Sequence, residues 1–214
     1  MRVIEQSHEI LTDLTNPRAI MERIERAGRT CYKSEAKGTD EGARAFVKRI
    51  IAQGHLSVIE HEGLSVRFVT DRGVTHELVR HRLASYSQES TRYCDYEGDG
   101  MVCIRPVWLE EGVIGDWGSD RSITGPPPAD REWLLAMMWA EQSYRILRAI
   151  GWQPQQARAV LPNSLKTEIV MTANFREWRH VLELRTAKAA HPQIRALMEP
   201  LRRELAQALP EVFG

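Results

Sequence analysis

The chain has 214 residues, 43% hydrophobic and 27% charged, which is enough for one well-buried core and too ordinary a balance for a disordered or fibrous protein. Its 29 basic and 29 acidic residues cancel, so no global positive field exists to gather a nucleic-acid backbone or an anionic membrane, and any anion site must be local. Cys31, Cys94 and Cys103 are widely spaced with no C-x-x-C pair, which argues against a disulfide framework or structural zinc and fits a reducing cytoplasm.

Residues Met1 to Ile10 turn acidic and polar too early for the apolar core of a signal peptide, and no apolar run reaches membrane-spanning length, so a soluble protein is expected. Val3 to Glu5 can start an edge strand. Asn16-Pro17 supplies a cap and then Pro at the first helical position, predicting a helix to about Arg29 with Ile20, Ile24 and Ala27 buried. A second helix from about Glu41 to Gln53 puts Ala45, Phe46, Ile50 and Ile51 on one face and stops at Gly54, directly before His55. Gly63 to Thr70 alternates as a strand, turned by Asp71-Arg72-Gly73. Thr75 to about Ala84 reads as a helix with Leu78 and Val79 inward, and Ser85 to Tyr93 as extended chain.

Met101 to Val107 suggests another strand. Gly112 to Pro128, rich in Gly, Pro, Asp and Ser, is expected to be a loop excursion or lid. A long helix from about Ala129 to Ile150 carries Trp133, Leu134, Met137, Met138, Tyr144 and Leu147 inward and ends at Gly151. A shorter helix spans Gln153 to Leu161, a strand Lys166 to Thr172, and two helices follow at Phe175 to Thr186 and Pro192 to Leu209. No internal repeat is present. Helices and strands intermix without regular β-α-β units, so the expected fold is α+β, a single domain over residues 1–214 with helices around a central, mostly antiparallel sheet.

Arg80, His81 and Arg82 place two guanidinium forks and an imidazole where a helix gives way to extended chain, which suits a phosphate or an anionic ring; a solvated helix end gives the same pattern. In an extended segment Gln88, Ser90 and Arg92 project to one side and offer an amide, a hydroxyl and a guanidinium to one ligand. His55, Glu60, His61 and Glu62 include good metal donors, but the spacing is not H-E-x-x-H and no third ligand motif follows, so no metal site is assigned.

Arg80-His81-Arg82, seven residues and then Ser90 resembles the R-H-R-x7-S signature of flavin-dependent thymidylate synthases, and Ser85, Arg92 and Tyr93 match its extended form. Gly54-His55, Ser57 and Glu60-His61 resemble the family's G-H-x-S/T-x-x-E-H segment. Ala157 to Pro162 resembles A-R-x-V-L-P, and Leu184-Arg185 through Ile194-Arg195 resembles L-R-x8-I/L-R. Departures are Glu77 where many members carry Gln, Ser87-Gln88 for a common Asn-Glu pair, and His180 and Ala189 where some members have Asn and His.

The resemblance implies methylation of dUMP to dTMP, with methylenetetrahydrofolate as carbon donor and FAD, reduced by NADPH, as hydride source. It implies cofactor contacts from His55, Ser57, Arg80, His81, Arg82, Gln88, Asn174 and His180. Nucleotide contacts are implied for Glu77, Arg80, Gln88, Ser90, Arg92, Arg158 and Arg185, with Arg185 the catalytic candidate at the pyrimidine. It also implies a homotetramer with shared active sites. Two other classes stay in view. One is a nucleic-acid module using Arg80, Arg82 and Arg92 with Tyr86, Tyr93 and Tyr96 stacked on bases; the other is a metal hydrolase using His55, Glu60 and His61.

Overall fold

The computed structural model describes residues 1–35, 38–98, 100–118 and 126–214. In chain order, strands β1 (Arg2–Ile4) and β2 (Ser7–Ile10) precede helices α1 (Pro17–Tyr32) and α2 (Asp40–Ala52), a 3-10 segment (Leu56–His61), strand β3 (Gly63–Asp71) and helix α3 (Arg72–Leu78). Strands β4 (Ala84–Gln88), β5 (Val102–Ile104) and β6 (Gly115–Asp116) lead to helices α4 (Pro128–Ala149) and α5 (Pro154–Ala157) and a 3-10 turn (Arg158–Val160). Strand β7 (Lys166–Asn174) and helices α6 (Phe175–Thr186), α7 (Pro192–Ala208) and α8 (Pro210–Phe213) complete the chain. This is the expected α+β mixture, with the strands divided between two sheets, ordered β5-β1-β6 and β2-β3-β7-β4.

Local chemistry sets the helix ends. Asn16 caps α1 by accepting from the Ala19 amide at 3.1 Å, with Pro17 opening the helix, and Thr39 caps α2 through the Gly42 amide at 3.1 Å. After α2 the chain closes a Schellman turn: Gly54 N–H donates to Ile51 O and His55 N–H to Ile50 O, both at 2.9 Å, with Gly54 at φ +78°. A side chain at that φ would be strained, so the glycine is what lets His55 leave the helix at a fixed angle.

The chain divides into two compact units, and the boundary falls inside β3, β4 and β7. The first comprises Met1–Ser7, Phe68–Arg80 and Ser87–Ile169. In it β1 lies between β5, its parallel neighbour (Val3 beside Cys103), and β6, its antiparallel one (Val3 beside Gly115). Helix α4 covers this sheet. Leu134 packs with Val3 and Val113, and Met137 with Met101, Cys103 and Leu165. The second unit comprises His8–Arg67, His81–Tyr86 and Val170–Gly214. Here α1 packs on α2, and α7 on α6 and α8. Its buried residues include Ile24, Phe46, Ile50, Trp178, Leu197 and Leu201, and the indole N–H of Trp178 is satisfied by Leu64 O at 2.8 Å.

Strands β3 and β7 each pass directly into a helix, and the last strand residue is itself the cap. Asp71 accepts from the Val74 amide at 2.7 Å to start α3, and Asn174 from the Glu177 amide at 2.9 Å to start α6. Residues 71–73, expected as a turn, are therefore a helix start. Helix α3 begins three residues earlier than expected and also ends earlier, at Leu78, so Val79, expected inward, lies past its end and is 40% exposed. On α2 the buried stripe runs through Ala43, Phe46, Val47 and Ile50, while Ala45 faces solvent. Strand β2 went unforeseen, since Ser-His-Glu-Ile carries little β-branched signal. The loop expected over residues 112–128 contains the end of a 3-10 turn (Glu111–Val113) and β6, and its residues 119–125 lie outside the described residues.

Candidate active site

The candidate residues form two sets, one in each unit. In the first unit Glu77 sits on the last turn of α3, and Arg80 N–H caps that end by donating to Glu77 O at 3.2 Å, leaving the exposed Arg80 side chain beyond it. Strand β4 ends at Gln88, and the chain then turns, with Tyr93 N–H and Cys94 N–H both donating to Ser90 O. The expectation that Gln88, Ser90 and Arg92 share one side of an extended strand is therefore corrected: period-two projection ends with the strand, and Ser90 and Arg92 belong to the turn.

Each of these side chains is nonetheless held. Gln88 Nε2 donates to Thr75 Oγ1 at 3.1 Å and Thr167 Oγ1 at 3.3 Å, two buried hydroxyls. Ser90 Oγ accepts from the Arg92 amide at 3.3 Å, a local turn bond rather than the geometry of an activated nucleophile. The Arg92 guanidinium lies 5.4 Å from the centre of the Tyr93 ring. Arg158 Nη1 donates to Thr91 Oγ1 at 3.3 Å, so this exposed arginine rises from a buried hydroxyl. Thr75, Thr91 and Thr167 are supports that sequence reasoning missed, because a buried threonine looks like any strand or helix residue.

In the second unit His81 is the centre. It is 5% exposed, and Arg185 Nε donates to its Nε2 at 3.0 Å. A guanidinium Nε always carries its proton, so His81 Nε2 must be the acceptor and the imidazole must be neutral. Burial, the Arg185 charge and then His180 together push its pKa down to about 4. The remaining ring nitrogen, Nδ1, lies 3.5 Å from Glu177 Oε1, a contact to a neutral ring and so not an ion pair. Tyr86 OH donates to His81 O at 2.8 Å, and the exposed His180 ring meets the His81 ring edge-on at 5.8 Å. Glu177 was missed because its partner His81 is 96 residues away in the chain and no local pattern marks the pair.

A hollow of about 670 Å³ in this unit is lined by Leu56, Leu83, Asn174, Arg176, Glu177 and His180 among others, and Arg82 and Ser85 border a neighbouring one of about 530 Å³ with His61 and Asn174. Apolar Leu56 and Leu83 with a polar rim suit a planar ring with hydrogen-bonding edges. Exposed His55 and Ser57 stand at the start of the 3-10 segment. Glu60 is held by Arg176 at 2.5 Å and Glu62 by Arg23, so both carboxylates are engaged by arginines. Among the described residues no group of three or more metal-ligating side chains lies together.

Two features bear on the other classes. Tyr96 donates to Glu89 Oε1 at 3.2 Å and Tyr86 to His81 O, which leaves Tyr93, 78% exposed, as the open ring of the three proposed for base stacking. Cys103 is fully buried with its thiol pushed up to about 12, mainly by burial, and cannot act as a thiolate. Among the described residues no helix is long and apolar enough to cross a membrane.

Residues 11–211 match the family described as thymidylate synthase complementing protein. The flavin-dependent thymidylate synthase of Mycobacterium avium (strain 104) is 39% identical over 201 residues, covering 89% of this chain and 77% of that protein. The enzyme of the same name from Mycobacterium tuberculosis (strain H37Rv) is 40% identical with the same coverage. The fold is similar to crystal structures of the UMP/dUMP methylase PolB from Streptomyces cacaoi. With 5-Br UMP bound, the TM-score is 0.73 at 20% identity over 100% of this chain and 94% of that one; with 5-Br dUMP it is 0.74 at 23%, over 100% and 95%. On the family match over nearly its whole length, and on relatives near 40% identity, the chain belongs to the thymidylate synthase complementing protein family, that of the flavin-dependent thymidylate synthases.

Proposed function

We propose that this chain converts dUMP to dTMP by reductive methylation, taking the carbon from 5,10-methylenetetrahydrofolate and the hydride from FAD reduced by NADPH, and releasing tetrahydrofolate. The observation that carries the reading is Arg185, which matches the family's L-R segment and is anchored through Nε on a neutral histidine of the Arg-His-Arg signature. Contact with a pyrimidine carbonyl is assigned to the Arg185 guanidinium. A permanent positive charge there stabilises the negative charge that builds on the carbonyl oxygen as uracil C5 becomes nucleophilic, and a carbonyl facing a fixed guanidinium needs no reorganisation to do so.

The residues of the second unit fit a flavin: its hollow offers Leu56 and Leu83 to a ring face and Asn174 and His180 to ring edges. When bound, the flavin supplies the hydride and the route for the one-carbon unit. His55, Ser57, Arg80, Arg82, Gln88, Asn174 and His180 bind and orient it, and His81 serves that side from beneath the surface. Glu77, Arg80, Gln88, Ser90, Arg92, Arg158 and Arg185 bind the nucleotide, with guanidinium forks for the phosphate and Ser90 as a ligand. Arg185 is the catalytic residue. Residues 1–214 act as one domain in a cytoplasmic homotetramer with shared active sites. Exposed Trp139 and Ile146 on α4, with Ile150 just past its end, suit a subunit interface.

The test is an anaerobic product assay with dUMP, methylenetetrahydrofolate, FAD and NADPH, with sedimentation for the assembly. Formation of dTMP and tetrahydrofolate in equal amounts is expected, with loss of turnover in Arg185→Ala. A protein that binds FAD and dUMP yet forms no dTMP overturns the reading.

A further inference from the structure

The Arg185 contact poses a question that the reaction itself does not answer: what keeps the His81 ring in the one tautomer and orientation that can receive the guanidinium. Neutral imidazole carries one proton, and since Nε2 must accept from Arg185 Nε, that proton sits on Nδ1. Nδ1 faces Glu177 Oε1 at 3.5 Å. His81 and Glu177 are 5% and 8% exposed, so each partner is largely withdrawn from solvent. The His81 backbone is pinned separately by the Tyr86 hydroxyl at 2.8 Å. Glu177 and Arg185 stand eight residues apart on α6, on roughly the same side of the helix, and His81 bridges them from another part of the chain.

We infer that Glu177 is a positioning residue for Arg185, acting through His81: the carboxylate holds His81 as the Nδ1–H tautomer so that Nε2 receives the Arg185 Nε–H and aims the guanidinium. A buried carboxylate costs stability unless it is compensated, and its site here is explained by that task rather than by the helix cap, which Asn174 supplies through the Glu177 backbone amide. The negative charge also polarises the ring, which makes Nε2 a better acceptor for the guanidinium. This assignment rests on Arg185 meeting the pyrimidine, as proposed above.

Two measurements decide it. In histidine-labelled full-length protein at pH 7, long-range nitrogen–proton spectra are expected to show His81 protonated on Nδ1 in the wild type and as a tautomer mixture in Glu177→Leu; Nε2 protonation in the wild type overturns the inference whether or not the protein makes dTMP. In the holoenzyme at saturating FAD, Glu177→Leu is expected to lower kcat about 10- to 100-fold, the scale of a misaimed group. Glu177→Gln, whose amide oxygen can face Nδ1–H from the same place, recovers most of that loss. In an Arg185→Lys background, which has no matching Nε–H, Glu177→Leu adds little further loss. An active wild type with unchanged kcat in Glu177→Leu, or equal losses in the Leu and Gln variants, refutes the positioning role alone. A wild type that forms no dTMP refutes the function it serves, and the role with it.

Discussion

Replacing His81 by Gln should change how the stability of this protein depends on pH. In the folded chain His81 has a pKa near 4, against 6.5 for a free imidazole, because the site buries it and sets the Arg185 guanidinium against Nε2. A group depressed in this way binds its proton first in the unfolded chain, so the unfolded state gains as pH falls below 6.5. The stability that the neutral ring preserves is therefore complete at pH 7 and is lost progressively between pH 6.5 and about 4. The full difference is about 3 kcal/mol, at about 1.4 kcal/mol per pH unit for one proton. The ring is 5% exposed, so solvent does little to screen it. Urea unfolding at one fixed protein concentration, at pH 7, 6, 5 and 4.5, gives the readout. Wild type should lose stability more steeply than His81→Gln across pH 6 to 4.5, by up to about 1.4 kcal/mol per unit. The slope matters here, since the variant also changes the absolute value. Parallel curves would show that His81 titrates like an ordinary histidine and would remove the basis for its neutrality.

Gly28→Ala places a Cβ 2.6 Å from Phe46 Cε1 and 3.0 Å from Val58 Cγ1, and overpacking of about 1–3 kcal/mol outweighs the gain of at most about 1 kcal/mol in helix propensity. Its Tm should fall and partly recover in Gly28→Ala/Phe46→Leu; an unchanged Tm in the single variant refutes the clash. Asn174→Asp keeps the Oδ1 acceptor for the Glu177 amide, so the melting temperature should hold while FAD affinity drops about tenfold; Asn174→Ala should lose about 1 kcal/mol of stability as well. Unchanged FAD affinity in Asn174→Asp would confine this residue to capping. Folded protein at pH 8 should react with a thiol reagent at exposed Cys31 but not at Cys103, and rapid labelling of Cys103 would contradict its burial.

The parts of the fold that sequence reveals are those settled within a few residues. Asn16-Pro17 opens α1 and Gly54 closes α2, because a cap or a left-handed glycine acts on its own turn. The signature at Arg80 to Tyr93 names a family without giving the backbone: the strand stops at Gln88, and the turn bonds to Ser90 O are formed by amides further on. Arg185 shows the other limit. Acidic Glu183 lies two residues before it on the same helix, yet its Nε goes to a histidine 104 residues away. Glu177 is hidden for a related reason, since its contact is with a histidine 96 residues earlier in the chain. Long-range pairs of this kind leave no periodic trace.

The seams at Asp71-Arg72 and Asn174-Phe175 join strand to helix with no intervening slack, which turns chain length into a geometric constant. One residue added after Asn174 would advance α6 by about 1.5 Å and swing its faces by about 100°. Glu177 and Arg185 would then look away from His81 even though every side chain remained present. Substitutions at these seams can be absorbed by a neighbouring bond, whereas insertions and deletions cannot. Lineages of this protein, and engineers who alter it, are therefore free to change length only elsewhere in the chain.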